Sequence, residues 1–185
     1  LEPAGRTIRD SIRAPDVITR LRALFAKRHT ATEPVDLNEA TREVIALSIS
    51  ELQRNRVTLR TELAEWLDLI LGDRIQLQLV ILNLLVNAST AMSSIDDRPR
   101  VLVIKTGRDG GQKVRFSIQD NGVGIAAEHI DRLFDPFYTT KSNGLGIGLS
   151  VSRTIVEGHQ GRLWGAPNEG AGATFCFSIP SLRRP

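Results

Sequence analysis

Two glycine clusters sit 22 residues apart in this chain, Asp120-Asn121-Gly122-Val123-Gly124 and Gly144-Leu145-Gly146-Ile147-Gly148, joined by an aromatic segment that ends in Lys141. Glycine reaches positive φ and lets a ligand approach the backbone, so two clusters this near in sequence suggest one site approached from both sides. The first follows Val114-Arg115-Phe116-Ser117-Ile118-Gln119, where Val114, Phe116 and Ile118 alternate with polar residues as in a half-buried strand. Asp120 therefore stands at a strand end. A carboxylate there can accept from an exocyclic amine, which adenine offers at N6 where guanine offers an acceptor. The plainer reading of Asp-Asn-Gly is a turn. The second cluster opens an apolar helical run, Leu149, Val151, Ile155 and Val156, whose first N–H groups are free to meet an anion such as phosphate.

With 185 residues, 41% of them apolar, the chain can build one domain with a real core and has little room for a second. It opens on Leu1 rather than Met, which reads as a segment of a longer protein. No signal peptide, membrane-spanning apolar run, low-complexity tract or internal repeat is visible, so no membrane contact is expected. The single cysteine, Cys176, excludes an internal disulfide framework and suits a reducing, cytoplasmic setting; it lies in a strand pattern as a small buried residue. The formal net charge of +3 is unevenly placed: residues 1–28 hold seven Lys or Arg against three Asp or Glu, Arg183 and Arg184 add more, and the rest is net negative. A basic stripe over the core is absent, so nucleic acid is not an expected partner.

In residues 1–28, Ile8, Ile12, Val17, Ile18, Leu21, Leu24 and Phe25 fall at roughly helical intervals, predicting an amphipathic helix that bends or begins at Pro15. Residues 29–34 read as a linker, and residues 35–182 as the globular domain. Within it, a short strand at Val35–Leu37 leads into a helix to about Arg54 with Asn38 as N-cap. Strand patterns at Val57–Leu63 and Leu67–Leu71 suggest an edge hairpin. Asp73 caps a long helix to about Ser93, and strands Val101–Thr106 and Lys113–Gln119 pair around Gly110-Gly111. A helix to about Glu157 and strands Arg162–Ala166 and Ala173–Ile179 complete the domain. This order predicts a two-layer α/β sandwich with a mixed, mostly antiparallel sheet and helices on one face.

Asn83 and Asn87 are four apart, on one face of the helix after Asp73, among leucines, isoleucine and valines. A lone Asn in such a helix reads as a hydrogen-bonded core residue. Two on one face, with amide oxygens able to ligate a hard cation beside phosphates, fit a nucleotide-bound Mg²⁺ that keeps several waters.

Four ordered segments resemble the boxes of sensor histidine kinases of two-component systems. Residues 73–88 resemble the N box, Asp120–Ile125 the G1 box, Phe134–Lys141 the F box and Asn143–Ser150 the G2 box. The resemblance covers about residues 35–180 and implies the ATP-binding catalytic domain of the family, with residues 1–28 resembling the second helix of the preceding dimerisation domain. It implies ATP and Mg²⁺ as cofactors, with Asn87 on the metal and Asn83 close to the phosphates. Asp120 would hold the adenine amine, while Gly122 and Gly124 would let the base approach. Phe134 and Phe137 would anchor a mobile lid, against a plain core-packing reading of both. Lys141 would meet the phosphates, and Gly144, Gly146 and Gly148 would shape the lid's return. Ile125, Leu145 and Leu149 complete the nucleotide-binding set. The implied partners are the protein's own dimerisation domain in a homodimer and a cognate response regulator.

The sequence also departs from the family pattern. The phosphoacceptor His followed by an acidic residue is missing: His29 lies in the linker, and His129 and His159 belong to the catalytic domain. Gln160 replaces a usual glycine in a tight turn, and Thr90 stands where many members keep a basic residue. Related ATPases carry a glutamate base one turn before the metal-binding Asn; here that position is Asn83, which cannot take a proton from water, so no catalytic base is assigned. Two other classes stay open, a conformationally cycling ATPase of the wider superfamily and a non-catalytic ATP-binding adapter.

Overall fold

The computed structural model describes residues 32–139 and 146–182. The amphipathic pattern of residues 1–28, with Pro15 and His29, lies outside the described residues, as do Lys141, Gly144 and Leu145.

Among the described residues, seven strands and three α-helices follow one another as β1 (Glu33–Val35), α1 (Leu37–Arg54), β2 (Val57–Glu62), β3 (Ile70–Gly72), α2 (Arg74–Ala91), β4 (Arg100–Arg108), β5 (Lys113–Asp120), α3 (Gly148–Gly158), β6 (Arg162–Pro167) and β7 (Ala173–Pro180). A short 3₁₀ helix, Ala127–Arg132, lies between β5 and α3. The main sheet runs β2-β4-β5-β7-β6. Its β2–β4 pair is parallel and the other three pairs are antiparallel, so the mixed, mostly antiparallel α/β sandwich expected from the sequence is what forms.

The alternation that marks β5 puts Val114, Phe116, Ile118 and Asp120 on its buried face, beside Leu102, Ile104 and Thr106 of β4. The Phe116 ring stacks on Phe177 of β7 with centroids 5.0 Å apart. Against this layer α1 packs on β2, α2 on β5, and α3 on β6 and β7. The middle helix, α2, also contacts α1 and α3, and buries residues around most of its circumference, from Leu77 through Leu85 to Ala88. That is why it reads as an unbroken apolar run rather than a stripe. Asp73 caps it, Oδ1 accepting from the N–H groups of Ile75 and Gln76 at 2.9 and 3.1 Å. Arg74, at its first turn, bonds Glu39 and Glu43 of α1, and the Arg74 hydrogen bond holds the Glu43 carboxyl below the usual carboxylate range.

Three sequence expectations are corrected here. Asp36, not Asn38, caps α1, its carboxylate accepting from Asn38 and Glu39 N–H. Asn38 is instead buried, donating to Ala64 O at 2.8 Å and accepting from Thr106 Oγ1 at 2.6 Å. The hairpin expected from residues 57–71 does not form, because β2 takes β4 as its parallel neighbour. β3 pairs antiparallel with β1, Val35 opposite Ile70, and both side chains are buried. Glu33 and Pro34 therefore belong to a strand rather than to the linker; Pro34, which has no N–H to give, is tolerated in a two-stranded ribbon.

Candidate functional site

β5 carries Asp120 to the end of the sheet, opposite Leu102. The residue is 3% exposed, and its Oδ1 accepts from the Gly122 N–H at 2.8 Å. A Cβ on Gly122 would lie 2.4 Å from Ala91 O, the carbonyl that also accepts from Val123 N–H at 3.1 Å. The Asp120–Gly122 turn is thus pressed onto the last residue of α2, where only glycine fits. Gly124 has φ +77°, and Ile125 beside it is half-buried.

The β6–β7 turn closes on the same turn from the other side. Asn168 Nδ2 donates to Asp120 O at 2.8 Å, and its Oδ1 accepts from Thr174 Oγ1 at 2.7 Å. Gly172, at φ +91°, has its missing Cβ 2.0 Å from Asp120 O. Sequence reasoning missed both residues. Their only signal was a glycine-rich turn between the last two strands, which taken alone reads as a hairpin connection.

On α2, Asn83 is 5% exposed and its Nδ2 reaches Ser152 Oγ at 3.2 Å and Gly148 O at 3.4 Å. It joins α2 to the first turn of α3. Asn87, one turn on, is half-buried and lies on the same face. Thr90 turns its hydroxyl back to Val86 O at 2.7 Å within the helix. α3 starts at Gly148 with no side-chain cap, which leaves first-turn N–H groups to another partner; Leu149 is half-buried beside it.

The intervening segment divides the two phenylalanines. Phe134 is half-buried, with the Arg153 guanidinium 5.4 Å from its ring centroid. Phe137 is 76% exposed at φ +65°, so core packing does not account for it. Its N–H donates to Gly146 O at 3.0 Å, and a Cβ on Gly146, itself at φ +66°, would meet the Phe137 carbonyl carbon at 2.5 Å. Phe137 and Gly146 thus clasp the two ends of the segment that holds Lys141, Gly144 and Leu145. Next to Phe137, Tyr138 Oη and His129 Nδ1 lie 2.6 Å apart, and Arg132 sits 4.4 Å over the tyrosine ring.

Asn121 also proves structural. Its Nδ2 donates to Pro99 O at 2.7 Å and its Oδ1 accepts from Val101 N–H at 2.9 Å, so the side chain stitches the turn to the start of β4.

Fold and site together define a class, an α/β sandwich with a glycine-bounded carboxylate at the end of a central strand and an uncapped helix start nearby. Residues 72–183 match the family described as histidine kinase-, DNA gyrase B-, and HSP90-like ATPase, and the chain belongs to it. It is similar to the catalytic domain of histidine kinase ThkA, at 31% identity and a TM-score of 0.73, covering 82% of this chain and 97% of that one. It is also similar to sensor protein FixL of Bradyrhizobium diazoefficiens, 36% identical over 176 residues, 95% of this chain and 34% of the relative. The signal transduction histidine-protein kinase AtoS of Escherichia coli is 37% identical over 164 residues, 89% of this chain and 26% of the relative. The chain therefore spans about a third or less of these curated relatives.

Proposed function

We propose that this chain is the ATP-binding catalytic part of a protein-histidine kinase, holding Mg-ATP and presenting its γ-phosphoryl group to a histidine on a dimerisation domain for relay to a response-regulator aspartate. The observation that carries the reading is Asp120: a buried carboxylate, held by Gly122 N–H, between two glycines at which a side chain would strike backbone. Burying a carboxylate is costly unless it has partners, and an adenine N6 amine is a donor that such a group can accept from. Gly124 and Ile125 lie where the base would rest.

Asn87 fits Mg²⁺, since an amide oxygen is a hard donor and the residue is half-buried on the face that Asn83 turns toward α3. Bound Mg²⁺ neutralises phosphate charge. The uncapped first turn at Gly148 and Leu149, with Gly146 at its approach, presents N–H groups to phosphate. Phe134 and the Phe137–Gly146 clasp flank the segment that carries Lys141, Gly144 and Leu145, which are proposed nucleotide-binding residues.

Asn83 brings no base, and its amide nitrogen is committed to Ser152 and Gly148. Positioning for an external nucleophile is then the chemistry left. His129 meets Tyr138, while His159 Nε2 accepts from Asp73 N–H at 2.9 Å and its Nδ1–H donates to Ile155 O, so both described histidines have structural roles. The acceptor belongs on a dimerisation domain, to which residues 1–28 are assigned by resemblance, with residues 35–182 as the catalytic domain. A solved complex of ThkA with response regulator protein TrrA, 29% identical with a TM-score of 0.72, supports a response regulator as partner. Among the described residues no helix is long and apolar enough to cross a membrane.

Calorimetry with ADP tests the assignment. Asp120→Asn keeps the shape and weakens the acceptor, so affinity falls by about 1.5–3 kcal/mol, roughly tenfold to a few hundredfold. An unchanged affinity removes Asp120 from the adenine.

A further inference from the structure

The peptide between Asn121 and Gly122 is gripped at both ends. Its N–H donates to Asp120 Oδ1 at 2.8 Å, and its C=O accepts from Arg98, at 3.2 Å from Nε and 3.0 Å from Nη2. Nη2 also reaches Gly122 O at 3.3 Å. The remaining edge of the guanidinium is occupied by Asp97, with Nη1 3.1 and 3.2 Å from its carboxylate oxygens.

We infer that Arg98 is a positioning residue for adenine recognition, acting on the Asp120 carboxylate through this one peptide plane. The inference rests on Asp120 meeting the base. Because the peptide is planar, fixing its oxygen fixes the direction of its N–H, and with it the orientation of the carboxylate that the N–H holds. A cation on the oxygen also polarises the amide, so the N–H on the far side becomes a stronger donor. Arg98 is not needed merely to join this turn to β4, since the Asn121 side chain already bonds Pro99 and Val101 on either side of Arg100. What Arg98 adds is charge and direction at the peptide next to Asp120. Arg98 itself touches no part of the base in this account.

The test is calorimetric titration of the whole chain with ADP and with IDP, which has a carbonyl oxygen where adenine has its N6 amine. Wild type, Arg98→Ala and Arg98→Gln are compared, each with Asp120 and with Asp120→Asn. If wild type binds ADP and IDP equally, the adenine reading itself fails, whatever Arg98 does. If wild type prefers ADP, Arg98→Ala is expected to weaken ADP about tenfold and IDP less than about twofold. In the Asp120→Asn background the same change is expected to move ADP less than about twofold, because the charged acceptor that Arg98 orients is no longer there. Should circular dichroism show Arg98→Ala unfolded, Arg98→Gln, which keeps a neutral amide N–H donor group, carries the comparison with an expected ADP loss of about threefold. Equal losses on both nucleotides, no loss on either, or a full loss persisting beside Asp120→Asn would each overturn the role.

Discussion

Asn83 Nδ2 donates to Ser152 Oγ at 3.2 Å, and Ser152 Oγ in turn donates to Gly148 O at 2.9 Å, so the start of α3 hangs from the middle of α2 by a relay of two hydrogen bonds. Both side chains are buried. Asn83→Ala removes the tie while Ser152 keeps its bond to Gly148, so the loss in stability is about 1–3 kcal/mol, read from urea unfolding. No change in the midpoint would mean that the tie contributes nothing.

Gly172→Ala puts a Cβ 2.0 Å from Asp120 O at a residue whose φ is +91°. Overpacking and left-handed strain together give a loss of about 2–4 kcal/mol, and ADP binding weakens as Asp120 is displaced. Gly170→Ala is the control, for a Cβ there meets nothing within 4 Å; its expected effect is within about 0.5 kcal/mol. Equal thermal midpoints for the two variants would contradict the crowding.

Gln160 follows the α3 C-cap His159 at φ +58°, in the left-handed position where helices commonly place glycine. Gln160→Gly relieves strain of about 1 kcal/mol but adds freedom to the unfolded chain, so a net gain of about 0.5 kcal/mol is expected from thermal denaturation. Destabilisation would show that the glutamine side chain contributes more than its backbone strain removes.

Burial pushes the Cys176 thiol above its ordinary range, and nearby Arg115 offsets part of this. Being raised in the folded state, it contributes stability below the free thiol's pKa that is lost as pH climbs through the folded value. Iodoacetamide at about pH 8, near the free thiol value, is expected to label the native chain much more slowly than the chain in urea. Equal rates would contradict the burial.

Local signals carried much of this far. Asp73 as a helix cap, the alternation in β5 and the strand pattern of β7 need only neighbours in sequence, and all three appear where expected. The glycines read as a ligand approach are in part steric necessities: Gly122 faces Ala91 O and Gly146 faces Phe137. What escaped were relations at distance. Asn168 reaches Asp120 across 48 positions and Arg98 reaches Asn121 across 23, and neither has a local signature. The partner of β3 was misjudged because strand pairing is decided by what lies beside a strand in space, here a three-residue β1. Taken alone Phe137 reads as core, because a large apolar side chain is ordinarily buried, whereas it is exposed and its positive-φ backbone belongs to the clasp with Gly146.

Phosphoryl transfer from γ-labelled ATP tests the account most directly. The chain is incubated with Mg-ATP alone, and then with a separately produced dimerisation domain of its parent protein that carries the acceptor histidine. Alone, it is expected to take up no acid-labile label; with the domain added, label appears on that domain, slowly, because untethered partners lose an effective concentration of about millimolar. Asn87→Ala abolishes this transfer without unfolding the chain. Label on His29, His129 or His159 of the chain itself, or none on the added domain, would contradict a kinase whose nucleotide site and acceptor histidine lie on separate domains.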